Sequence, residues 1–397
     1  MPLQSNVDVP HIIKYMGSKK NLIDFVVEGI NEVYVEGAHV CDLFAGTAVL
    51  SGVLRNQATV ISNDIQSYSS VLAKTYLESY PWNEHPGILE HIVDLANDRV
   101  RRFKNEYPQL VFNYNREFTL TEFNELEKSQ QDLINFNFGA QPNHLFAKNY
   151  SGTYWSYEQC LWIDAIRSIA EDEYINSPFY NAIISSLMFA MSYNSQSTGH
   201  YAQYRDATNM SSMNDILIYR RKEILPFFIR KFEELRDTLN INQFEYQVTA
   251  QDYRECLNNI PHNTVVYADP PYAFVHYSRF YHVIETLVRY DYPEVLHKGR
   301  YRTDRHQSPF CIRTQVKGAF REMFSKVFQR ESHLVLSYSD TGMITLEELV
   351  ELAREEFAER FYEVNIRFQD YLHSTMGRRE DKNRNVQECL IIARRRA

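Results

Sequence analysis

Two short stretches of this sequence carry residue types that could do chemistry. In the first, the apolar run from Val265 to Ala268 ends in Asp269-Pro270-Pro271-Tyr272. The prolines stiffen the turn and remove backbone donors, which leaves the carbonyl of Asp269 or Pro270 free to accept from a ligand. An amino group held by one carboxylate oxygen and one carbonyl has both protons fixed. Its nitrogen lone pair is then turned out of ring conjugation and toward an electrophile. Tyr272 offers an aromatic face on which a planar base can stack. The plainer alternative is a rigid strand-end turn beside a half-buried tyrosine.

The second stretch, residues 40–55, reads as a strand ending at Asp42-Leu43-Phe44, a small-residue turn Ala45-Gly46-Thr47, and a helix. Glycine lets the backbone approach a ligand closely, and α/β proteins bind ligands at the carboxyl end of a strand beside a helix N-terminus. Asp64, 18 residues beyond Gly46, closes the next apolar run and is placed to bind both hydroxyls of a ribose. Alone, this turn fits nucleoside binding and an ordinary α/β connection equally.

Three zones must position these residues. Residues 7–80 alternate apolar runs and turns in a βα manner, which predicts a parallel sheet covered by helices. Residues 81–242 mix long helical patterns with polar aromatic loops. Residues 243–397 resume the alternation, and the last two apolar runs lack a long helix between them, which predicts an antiparallel hairpin. The expected fold is therefore α/β: a Rossmann-like sheet built from residues 7–80 and 243–397, interrupted by a mostly helical inserted domain at 81–242.

Two polar segments are candidates for nucleic-acid contact. In the loop from Asn194 to Arg205, Asn194, Gln196 and Arg205 suit base edges and phosphates; the alternative is a solvated connection. The second, residues 298–321, carries Lys298, Arg300, Arg302, Arg305, Arg313, Lys317 and Arg321 against the single acid Asp304. Following the Asp-Pro-Pro-Tyr turn as it does, it reads as a phosphate-contacting stretch.

Bulk composition sets the limits. The 397 residues carry a net charge of -9, which excludes a wholly basic DNA-coating protein but not one local basic face. The 28 Tyr and 24 Phe suit thick cores and base stacking alike. Five scattered cysteines, none spaced Cys-x-x-Cys, imply reduced thiols and neither a zinc site nor a disulfide framework. No apolar run is long enough to span a bilayer. The expectation is a soluble cytoplasmic protein with no membrane contact.

Together these motifs resemble the alpha-class, Dam-like DNA adenine methyltransferases. Tyr15-Met16-Gly17-Ser18-Lys19 is similar to the family's N-terminal aromatic-x-Gly-Gly-Lys element, which binds the cofactor's amino-acid end. Asp42 to Gly46 resembles its cofactor loop, Asp64 its ribose acid, Asp252 the acid before the catalytic strand, and Asp269 to Tyr272 its catalytic turn. Residues 334–342 and 379–393 resemble a later strand and the terminal hairpin. The middle zone has no recognisable match. Ser18 and Ala48 stand where the family usually has glycine, and both are small, so altered loop geometry is expected rather than lost binding.

The resemblance implies S-adenosyl-L-methionine as cofactor, held by Tyr15, Gly17, Lys19, Asp42, Phe44, Ala45, Gly46, Asp64, Asp252 and Asp269, with Lys19 pairing the cofactor carboxylate and no metal required. It implies double-stranded DNA as partner, a flipped adenine stacked on Tyr272, and residues 81–242 as the target-recognition domain. A cognate restriction endonuclease is left open as a second partner. Cytosine, RNA adenine and protein glutamine stay open as targets, as does a DNA-binding protein that no longer turns over.

Overall fold

The computed structural model describes all residues except 15–21, 197–199, 272–276, 340–341, 375–382 and 397. Seven strands form one sheet: β1 (His39–Asp42), β2 (Thr59–Asn63), β3 (Tyr246–Thr249), β4 (Val265–Ala268), β5 (His333–Ser339), β6 (Tyr362–Ser374) and β7 (Asn383–Arg395). Their spatial order is β3-β2-β1-β4-β5-β7-β6. The pairs β1–β2, β1–β4, β2–β3 and β4–β5 are parallel, whereas β7 runs antiparallel to both β5 and β6. The expected terminal hairpin is thus present, with its second strand wedged inside the first.

Central parallel strands must be apolar on both faces, and these are. Alternation then divides them: Val40, Val60 and Val265 face one core, and Cys41, Ile61 and Val266 the other. The second core is closed by the helices Tyr253–Asn259, Val316–Gln329 and Leu346–Glu356. The first is closed by Ile23–Asn31, Ser67–Leu77 and the long helices of the middle zone. Polar residues start several of these helices. Ser156, for example, accepts from the Gln159 N–H while Gln159 answers at the Ser156 N–H.

The middle zone is mostly helical, with Ile88–Glu106, Tyr157–Tyr174, Phe179–Asn194 and Ile224–Thr238 its longest helices. It is not walled off from the sheet. Ile166, Ile184 and Leu187 share one continuous core with Val40 and Val60. Thr75, on the helix after β2, donates to the Asn181 carbonyl at 3.0 Å. The segment after β4 joins the same mass: Asp164, buried, accepts from the Tyr290 hydroxyl and from the N–H groups of Phe146 and Ala147.

Candidate active site

The chain leaves β1 for β2 and β3 on one side, then returns to place β4 on the other. Strand order therefore reverses between β1 and β4, the place where α/β sheets open a ligand crevice at their carboxyl edge. Register sets what stands there. Asp42 pairs with Ser62 on one side and Tyr267 on the other. Asp64 and Asp269 each lie two residues beyond those partners, so three carboxylates reach one edge. One cleft is lined by Asp42, Phe44, Gly46, Asp64, Asp252, Asp269, Pro270 and Pro271, among others.

The turn after β1 is tightly constrained. Leu43 N–H donates to the Tyr267 carbonyl and Ala45 N–H to the Asn63 carbonyl. Gly46 has φ +53° and Ala48 φ +55°, both in the left-handed region. Glycine pays little for that; alanine pays about 1–2 kcal/mol. Ala48, where glycine was the expected residue, thus keeps the glycine conformation at a cost in strain. It is fully buried.

Asp64 is gripped from both sides: Gly46 N–H reaches Oδ2 and Gln66 N–H reaches Oδ1, each at 2.9 Å. Burial pushes its pKa up to about 6 against the pull of those N–H groups, with the Glu285 charge adding to the rise. Asp42 is 2% exposed. Burial first, then the charges of Asp64 and Asp269, raise it to about 7, opposed by a 2.9 Å hydrogen bond from Ser51 Oγ.

Four contributors had not been singled out from sequence. Asn63 stitches the strand ends: its Nδ2 donates to the carbonyls of Leu43 and Gln251, while Oδ1 accepts from Thr249 Oγ1 and Gln251 N–H. Gln66 supplies the second grip on Asp64. Phe310 completes an aromatic wall with Phe44 (5.4 Å between ring centroids) and Tyr253 (5.1 Å). Glu285 accepts from the N–H groups of Ser67 and Tyr68 at the start of the helix after β2. Adjacency to Asp64 could have flagged Asn63 and Gln66. Nothing local flags Phe310 or Glu285.

Asp252 caps the helix Tyr253–Asn259 by accepting from Arg254 N–H, and the Arg254 guanidinium lies 3.3 Å from it. The Asp269-Pro270-Pro271 turn is anchored from outside, where Cys311 Sγ lies 3.4 Å from the Pro271 carbonyl oxygen. Tyr15, Gly17, Lys19 and Tyr272 lie outside the described residues.

The expected DNA-facing residues divide. Asn194 and Gln196 are buried, the latter accepting from Arg205 N–H. Arg205 is partly exposed beside Asp215. Arg300 is 9% exposed and donates to the carbonyls of Asn149 and Gln131. Arg302 is 2% exposed, its fork filled by Asp291 and Asp304. Lys298 pairs with Asp206, and Arg305 stacks on Tyr301. Phosphate contact expected of Arg300 and Arg302 is thus displaced by internal partners: carbonyls distant in sequence fold against Arg300, and the nearby acids Asp291 and Asp304 close on Arg302.

The family model described as D12 class N6 adenine-specific DNA methyltransferase matches residues 15–341, the middle zone included. The chain is 24% identical over 388 residues to Modification methylase LlaI of Lactococcus lactis subsp. lactis, covering 96% of the chain and 54% of that protein. It is 25% identical over 364 residues to Type II methyltransferase M.FokI of Planomicrobium okeanokoites, covering 89% and 48%. It is 22% identical over 382 residues to Type II methyltransferase M.NlaIII of Neisseria lactamica, covering 94% and 95%. The chain thus spans about half the length of the first two.

Proposed function

The chain belongs to the D12 class of N6 adenine-specific DNA methyltransferases, and we propose that it moves a methyl group from S-adenosyl-L-methionine to the N6 nitrogen of an adenine flipped out of double-stranded DNA. The carrying observation is the single cleft shared by Asp64, held by Gly46 and Gln66, and the Asp269-Pro270-Pro271 turn. The two halves of a transfer reaction would meet there.

The cleft suits the cofactor. Asp64 presents a carboxylate to the ribose hydroxyls, the Gly46 turn gives the backbone close approach, and Phe44, Tyr253 and Phe310 form an apolar wall for the purine. When bound, the cofactor supplies a sulfonium methyl that is already electrophilic. The protein's work is then positional. Asp269 and the Pro270 carbonyl accept from the target amino group, hold it in line and keep its lone pair forward. Pro270 and Pro271 keep that turn stiff, and Tyr272 is the stacking face for the extruded base.

Residues 81–242, with the segment after β4, form the target-recognition unit in this reading. Arg205 and Lys298, both partly exposed, face the duplex. Asn194, Gln196, Arg300 and Arg302 shape its support. Two relatives carry type II methyltransferase names, which supports modification alongside a restriction endonuclease of the same specificity. Among the described residues no helix is long and apolar enough to cross a membrane, and the five cysteines are buried and unbridged, which fits a cytosolic setting.

Plasmid DNA incubated with the protein and cofactor, then mapped for modified bases, tests the function. Methyl groups on adenine N6 within one short sequence are the expected result. Methylation of structured RNA with none on DNA would sink it.

A further inference from the structure

The basic stretch 298–321 is matched only in part: Arg300 donates to main-chain carbonyls, and Arg313 and Lys317, both exposed, form no ion pair with a described carboxylate. Lys298, Arg302 and Arg321 are each matched by acids: Asp206, then Asp291 with Asp304, then Glu355 with Glu356. Arg305 has no such match among the described residues. Its guanidinium carbon lies 5.2 Å from the Tyr301 ring centroid, and its Nε is buried with no described hydrogen-bond partner. Arg279, exposed on the short helix Tyr277–Phe280, lies over the same ring at 5.4 Å and donates from Nε to the Tyr301 hydroxyl at 3.2 Å. It too forms no ion pair with a described carboxylate.

Two like charges therefore share one neutral ring. Burial and the Arg279 charge both push the Arg305 guanidinium down, while Tyr301 offsets part of that. The ring itself is fixed. Its hydroxyl donates to the Ala202 carbonyl, His282 packs on it with centroids 4.9 Å apart, and a Cβ on Gly299 would lie 2.5 Å from it. Neither arginine lines the cleft, but the chain on either side of the pair reaches it. Ser278 and His306, the immediate chain neighbours of Arg279 and Arg305, both line it, and Ser278 Oγ donates to the His306 carbonyl at 2.6 Å.

We propose that Arg279 and Arg305, mounted on Tyr301, form a clamp for one DNA phosphate beside the extruded nucleotide. The proposal rests on the DNA methylation reading and names its backbone anchor. A guanidinium stacked on a ring keeps its donor edge outward, and that edge matches phosphate oxygens bidentately. An anion between the two removes the repulsion that nothing else described there relieves. Extruding a base rotates its nucleotide about the backbone, and a phosphate held beside the cleft fixes the backbone about which it turns.

The test uses the full chain and a duplex centred on an adenine that the wild-type protein has been shown to methylate. Affinity of the wild type, Arg279→Gln and Arg279→Gln/Arg305→Gln is followed by fluorescence anisotropy from roughly 50 to 200 mM salt. The clamp predicts roughly tenfold weaker binding by the double variant and a log–log salt slope shallower by about 1, with cofactor affinity unchanged. Arg279→Gln, at an exposed position, moves the same way by less and covers the case in which the double variant fails to fold. Neutralising one flanking phosphate as a methylphosphonate weakens the wild type by a similar factor and leaves the double variant indifferent. Wild-type salt slopes in both variants, or losses equal at every neutralised phosphate, overturn the clamp. A wild type that methylates no adenine in DNA overturns the underlying function instead.

Discussion

The main-chain N–H of Gly46 donates to Oδ2 of Asp64 over 2.9 Å, so the turn after β1 takes its shape from the acid that follows β2. That bond ties together two sequence motifs 18 residues apart. Asp64→Ala should lose both the ribose contacts and the brace on the turn. We expect cofactor affinity to fall about 10- to 100-fold, at 1.5–3 kcal/mol for hydrogen bonds to a charged group, as read by calorimetry, while duplex binding without cofactor is retained. Unchanged cofactor affinity would remove Asp64 from the site.

Asp269→Ala should separate binding from chemistry. Single-turnover transfer of labelled methyl groups is expected to fall by roughly 10²–10³ or more, the cost of one positioned group that acts on the reacting centre. Cofactor and DNA affinities should move little. Residual transfer near the wild-type rate would place the chemistry elsewhere.

The raised carboxyls give a pH signature. Asp42 and Asp64 sit at about 7 and about 6, against about 3.9 in an unfolded chain. A raised carboxyl favours the folded state while protonated. Its contribution is full below about pH 3.9 and is lost as pH climbs through the folded values. The cofactor-free protein should therefore lose stability across that window. A cationic cofactor favours the ionised acids and offsets the loss. Its effect on Tm is expected to grow from about pH 5 to about pH 8; a flat profile would detach these acids from binding.

Ala48→Gly relieves a left-handed alanine worth about 1–2 kcal/mol but frees the unfolded chain, which costs roughly 0.4–1 kcal/mol. Losing the buried methyl costs a further ~0.8 kcal/mol, so urea denaturation should show a change between a loss and a gain of about 1 kcal/mol. A loss well beyond about 1 kcal/mol would mean the turn carries no such strain.

Arg302→Ala should act on folding rather than on DNA. It removes the enclosed partner of Asp291 and Asp304, which keep only the partly exposed Arg289, and removing one partner of an enclosed ion pair costs about 3–5 kcal/mol. Here the carboxylate side chains are 36% and 47% exposed, so screening brings the expected loss to about 2 kcal/mol. The salt slope of DNA binding by the folded fraction should be unchanged. A shallower slope would return Arg302 to the interface.

Both acid motifs were legible because their signals are local. An apolar β-run, a terminal carboxylate and turn-forming glycine or proline are neighbours in sequence, and parallel strands deliver such ends to one edge. The terminal hairpin was legible for the same reason. The middle zone was legible as helix but not as packing: Ile166, Ile184 and Leu187 join the core of Val40 and Val60, which no local pattern announces.

Charge was misleading when read along the chain. Residues 298–321 look like an unmatched basic run with one acid, yet Asp206, Asp291, Glu355 and Glu356 fold against it. By itself the sequence determined which groups could do the chemistry and the strand ends that carry them, since periodicity and turn chemistry act over a few residues. Only the tertiary structure decided which arginines are neutralised, that Arg279 and Arg305 share Tyr301, and that Phe310 walls the cleft. Those outcomes depend on contacts between segments tens of residues apart, which topology sets and local pattern does not encode.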